Sequence, residues 1–129
     1  MSNICRISPY LVSETELLRV HSPEFIKKLR ETNSDSFGTD FDKFGLSYDC
    51  PPQDNLFNRV RLIFGSTMAA AHAISSGKVK TAINWLGGWH HGTKDKASGF
   101  CYVNDINGAI DYLTNSTYAK NKKSFLYRS

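Results

Sequence analysis

A chain of 129 residues, 40% hydrophobic and 22% charged, has the balance of one ordinary globular domain with a buried core, which excludes disorder as the default reading. The formal charge of +4 is unevenly placed: up to Ala119 twelve Lys and Arg meet twelve Asp and Glu, and the excess lies in Lys120, Lys122, Lys123 and Arg128. A short basic tail of that kind fits a solvated helix end or linker better than a phosphate-binding track, so no direct nucleic-acid contact is expected.

Three cysteines, Cys5, Cys50 and Cys101, form no C-x-x-C pair, which argues against a disulfide framework and a structural zinc knuckle and for a reducing compartment. Met1 to Ser13 lacks the apolar core of a secretory signal, and no run approaches the roughly 18 apolar residues of a membrane span. The expectation is a soluble, intracellular protein without membrane contact.

In chain order, Ile4 to Ile7 reads as a short strand ended by Pro9. Ser13, followed by Glu14 and Glu16, starts a helix whose apolar face is Leu17 and Leu18, because a hydroxyl can cap free N–H groups and carboxylates suit the positive end of the helix dipole. Ser22-Pro23 starts a second helix, with Phe25, Ile26 and Leu29 at helical spacing and a basic exposed side. Glu31 to Gln53 is a long loop rich in Asn, Ser, Asp, Gly and Pro.

Asp54 is placed to cap the next helix, where Phe57, Val60, Ile63, Phe64, Met68, Ala71 and Ile74 recur at three- and four-residue steps until Gly77. Gly65, Ser66, Ala69, Ala70 and Ala73 give that helix a second face of small residues, open to close approach. Val79 to Trp85 is the clearest strand, another helix begins near Asn104 or Asp105, and Ser124 to Tyr127 starts a further strand. Helix, strand, loop, helix, strand is the order of an α/β unit with a parallel sheet, in which ligands sit in the loops beyond the carboxyl ends of the strands.

The loop after Trp85 holds the unusual chemistry. Asn84-Trp85-Leu86-Gly87-Gly88-Trp89-His90-His91-Gly92 brings adjacent histidines together with glycines that let backbone approach a ligand closely. Two imidazoles near neutral pH can accept and donate protons or bind metal. The pair alone makes a poor metal site, because adjacent side chains in extended chain diverge and zinc needs three or four converging ligands. His21 and His72 lie in helical segments and read as structural.

Asn84-Trp85-x-Gly87-Gly88-x-His90-His91, followed by Ala97-Ser98-Gly99-Phe100-Cys101-Tyr102-Val103-Asn104-Asp105, resembles the signature of class I zinc-dependent histone deacetylases. Gly45 to Pro51 resembles the family's Tyr-Asp-Cys-Pro loop, and Val20 to Phe25 its helix carrying a histidine near a helix junction. Trp89, where most class I members carry leucine, is nearest to the histone deacetylase 8 group. Leu86, Gly92, Thr93 and Lys96 depart from the usual pattern without removing a catalytic atom. An arginase relative on the same architecture is opposed by the match over Ala97 to Asp105.

The resemblance implies an α/β, three-layer arginase/deacetylase-type fold with a partial parallel sheet, incomplete at both ends, so that residues 1–129 form a fragment of one catalytic domain. It implies hydrolysis of acetyl-lysine side chains of histones or other proteins, in the nucleus or cytoplasm, by zinc-bound water. His91 would be the general base and later the acid, His90 its electrostatic partner, Gly99 and Phe100 the lining of the lysine channel, and Asp49 the rim carboxylate. Taken singly, Asp49 also reads as a turn carboxylate, Phe100 as a core aromatic and Gly99 as a positive-φ loop residue. The family's zinc ligands and oxyanion tyrosine are expected beyond the strand at Ser124, so none is expected in this chain. An inactive chain follows, with a binding role as the alternative.

Overall fold

A computed structural model describes residues 4–115. Five helices follow in order: α1 (Glu14–Leu18), α2 (Pro23–Glu31), α3 (Thr39–Asp42), α4 (Leu56–Ser75) and α5 (Asp105–Asn115). The start of α1 is a complete capping box: the Ser13 hydroxyl accepts from Glu16 N–H at 3.3 Å, and the Glu16 carboxylate accepts from Ser13 N–H at 2.9 Å. Leu17 is buried, whereas Leu18 is half-exposed and adds little to the expected apolar face. In α2 the Ser22 hydroxyl accepts from Phe25 N–H, Pro23 occupies the first turn, and Phe25, Ile26 and Leu29 all enter the core.

The long central helix α4 organises the rest. Val60, Phe64 and Met68 of its apolar face are buried with Leu17, Phe25 and Val103. The small-residue face is buried at Gly65, Ala69 and Ala73. At Gly65 the N-terminal segment crosses so closely that a Cβ would lie 1.7 Å from the Tyr10 carbonyl oxygen. The crossing is pinned by Arg61, whose Nε donates to the Val12 carbonyl at 2.8 Å. α5 packs on the other side, where a Cβ on Gly108 would lie 2.3 Å from the Phe64 ring.

Two local expectations are corrected. Asp54 does not cap α4: its carboxylate accepts from Ser34 N–H at 2.8 Å, and the cap residue is Asn55 in left-handed backbone, without a side-chain cap bond. Glu31 to Gln53 is not loop throughout: Glu31 closes α2, α3 forms within the segment, and Phe44 O accepts from Ala97 N–H at 2.8 Å. Gly45 beside it has φ +72°, and a Cβ there would meet the Ala97 carbonyl oxygen.

The expected partial parallel sheet is not found among the described residues. Ile4 to Ile7 and Val79 to Trp85 take no strand pairing, and the one bridge is the tight turn Ser98–Cys101. A strand exists only through the partner that takes up its N–H and C=O groups. Without a paired neighbour the second segment runs exposed, with Ile83 and Trp85 turned to solvent. The Ser124 to Tyr127 strand lies outside the described residues.

Candidate active site

The tandem-histidine loop is held from below by the start of α5. Asp105, completely buried, accepts from Gly88 N–H at 2.9 Å, Trp89 N–H at 2.8 Å and the Thr67 hydroxyl at 2.5 Å. Thr67 in turn accepts from the Asn84 side-chain amide at 2.8 Å. A buried carboxylate is stable only with such donors around it. Gly87 lies directly on this network: a Cβ there would fall 2.5 Å from Asp105 Oδ2 and 2.6 Å from Thr67 Oγ1. The first loop glycine is therefore a close-approach residue. The second, Gly88, has φ +91°, a conformation L side chains rarely adopt.

Asn104, one residue earlier, holds the far end of the loop. Its Nδ2 donates to the Gly92 carbonyl at 2.9 Å and reaches the His90 carbonyl at 3.4 Å, while its Oδ1 accepts from Asn107 N–H and caps α5. Trp89 packs half-buried against Tyr102, ring centroids 5.8 Å apart. Tyr102 donates to the Pro51 carbonyl at 2.6 Å and accepts from Gln53, which ties the Asp49–Pro51 loop to the same floor. Burial pushes its phenol pKa up.

Both site histidines are exposed, and their ring centroids lie 4.1 Å apart. His90 Nδ1 is 3.0 Å from the Gly88 carbonyl; since a carbonyl only accepts, that nitrogen carries a proton and donates it. The His91 ring packs on Gly99, where a Cβ would lie 2.8 Å from its Cγ. Gly99 has φ +50°, as the loop-residue reading expects, and it is also the surface on which the His91 ring rests. Phe100 has φ +69° and is 71% exposed, which overturns the core-aromatic alternative. Asp49 is exposed, and the adjacent Cys50 is buried against the Phe100 and Cys101 backbone. Burial raises the Cys50 thiol pKa above its ordinary value, opposed by hydrogen bonds from that backbone. All three cysteines are free thiols.

His91 and Gly99 are thus in contact, His90 adjoins them, and Asp49 and Phe100 are carried on neighbouring loops joined through Cys50. What the sequence reading missed is the anchoring set, Thr67, Asn104 and Asp105. Asn104 and Asp105 stood within the matched motif but were read only as a helix start. Thr67 had no signal beyond being a polar residue beside the small-residue face of α4.

Among the described residues no three His, Cys, Asp or Glu side chains converge to hold a metal ion. They do not by themselves fit a zinc site. No helix among them is long and apolar enough to cross a membrane.

Residues 1–123 match the family described as "Histone deacetylase domain". The chain is 40% identical over 101 residues to histone deacetylase 8 of Danio rerio and 37% identical over 101 residues to that of Xenopus tropicalis, in each case 77% of this chain and 27% of the relative. It is 38% identical over 105 residues to histone deacetylase 1 of Homo sapiens, 79% of this chain and 22% of the relative. The chain thus spans about a quarter of the length of the curated relatives it matches. The family implies the arginase/deacetylase fold. With a tandem-histidine loop seated on Asn104 and Asp105 and a family match covering nearly its whole length, this chain belongs to the histone deacetylase family, in its class I branch and similar to histone deacetylase 8.

Proposed function

We propose that this chain carries the proton-handling and lysine-channel portion of a protein-lysine deacetylase centre. The observation supporting it most is the seating of the His91 ring on Gly99, with the His90 ring 4.1 Å away, on a loop gripped at both ends by the start of α5. The reaction is hydrolysis of the acetyl amide of a lysine side chain in a histone or another protein, giving acetate and the free amine.

His91 takes a proton from the attacking water and returns it to the departing lysine nitrogen. His90, with Nδ1–H donated to the Gly88 carbonyl, is oriented beside it as its electrostatic partner. The exposed Phe100 ring and the Gly99 backbone flank the lysine stem, and Asp49 at the rim accepts from the substrate backbone. The family's zinc would supply Lewis-acid polarisation of the amide carbonyl and a more acidic water, and no residue set among those described would hold it. Its ligands are proposed to come from outside the described residues, and turnover is proposed to require them. The nucleus and the cytoplasm are the proposed sites of action.

The test is a chimera in which the 101 matched residues replace their counterpart in the Danio rerio relative, assayed on an acetyl-lysine peptide. Turnover is expected, with a loss of about 10²-fold or more in His91→Ala. A folded chimera without turnover, or turnover indifferent to that substitution, overturns the reading. The unsupplemented chain is expected to show no hydroxamate-sensitive activity.

A further inference from the structure

His21 lies at the junction of α1 and α2, away from the exposed histidine pair, and is 1% exposed. Its Nδ1 is 2.9 Å from the Thr93 carbonyl and 3.4 Å from that of Lys94. Its Nε2 is 3.0 Å from the backbone N–H of Asn104. A carbonyl can only accept and an amide N–H can only donate, so the two backbone partners leave one protonation state: neutral, with the proton on Nδ1.

The partners are the ones that matter to the site. Thr93 is two residues beyond His91, and Asn104 is the residue whose side chain grips the carbonyls of Gly92 and His90. Beside the ring, Ser22 N–H also donates to the Lys94 carbonyl at 2.9 Å. Phe25 covers the ring with centroids 5.3 Å apart, and Asp95 is the charged group acting on it. A histidine that merely filled core volume would not need both nitrogens directed at backbone from two separate segments.

We propose that His21 is a positioning residue for the tandem histidines: one neutral imidazole spans the exit of their loop and the Asn104 backbone, and so fixes the height of His90 and His91 above α5. The proposal rests on the function proposed above for that pair, although the clamp itself is a statement about loop geometry. An apolar residue in its place strands a buried N–H at Asn104 and a carbonyl at Thr93. Glutamine, whose single amide group both donates and accepts, can restore both bonds.

The experiment is imidazole and amide NMR with hydrogen exchange on the full chain. His21 is expected as the Nδ1–H tautomer. In His21→Leu the amide of Asn104 is expected to exchange roughly tenfold faster or more relative to core amides of α4, with shifted His90 and His91 ring resonances. His21→Gln is expected to return both toward the parent. The proposal is overturned by an Nε2–H or doubly protonated His21 at neutral pH, by unchanged Asn104 exchange in His21→Leu, or by a Gln variant that behaves as Leu. Should His21→Leu fail to fold, the parent tautomer and the Gln variant decide. In the chimera, His21→Leu is expected to lower kcat with little change in KM. A chimera inactive with His21 intact sinks the function and leaves the exchange result standing.

Discussion

Asp105 shows how much of the site depends on a side chain that is completely buried. Its carboxylate takes two loop N–H groups and one hydroxyl from partners 17, 16 and 38 residues away, so nothing in local spacing marks it. Asp105→Asn keeps the shape but replaces one acceptor oxygen by a donor facing donors. A loss of about 1–3 kcal/mol is expected, read as a lower urea midpoint and faster exchange at Gly88 and Trp89. An unchanged midpoint with unchanged exchange at those amides would show that the loop is held elsewhere. His90, His91, Asp49, Gly99 and Phe100 were legible as residues because they stand in a motif. What each touches was not, and Phe100 in particular points outward, where a lone aromatic would ordinarily be read as core.

Among the elements, the helices were the most legible. Ser13 with Glu16 and Ser22 with Pro23 announce two starts by local chemistry, and both bonds form as expected. The small face of α4 was read as room for a neighbour, and at Gly65 that neighbour is the backbone of Tyr10. Because a carbonyl of a pinned segment cannot swing aside like a flexible side chain, Gly65→Ala is expected to destabilise by about 1–3 kcal/mol despite the better helix propensity of alanine. Thermal or urea unfolding checks this, and a neutral or stabilising result would remove the close crossing. Asp54 failed as a cap because Ser34, across the long loop, offers its carboxylate another N–H. His72, read as structural, packs against Tyr10 and Tyr112, with ring centroids 5.8 and 4.3 Å away.

For the whole molecule, burial lowers the pKa of His21 below its ordinary value of 6.5, opposed by hydrogen bonds to the Lys94 and Thr93 carbonyls and by Asp95. The unfolded chain therefore binds the extra proton more readily than the folded one. That contribution to stability is complete above pH 6.5 and declines as pH falls from there through the lowered folded value. Urea midpoints measured downward from pH 7.5 should fall in this window, and His21→Gln should flatten that part of the profile; an equal slope in the variant would assign the loss to other groups. The sequence by itself determined the starts of α1, α2 and α5, part of the buried face of α4, the motif and hence the family, because caps, periodicity and contiguous residues act over a few positions. Only the tertiary structure decided that Asn104, Asp105 and His21 hold the tandem-histidine loop, and that Val79 to Trp85 lies unpaired among the described residues. The reason is the same in both cases: a buried polar group or a strand is satisfied by partners distant along the chain, and which partners arrive is settled by packing.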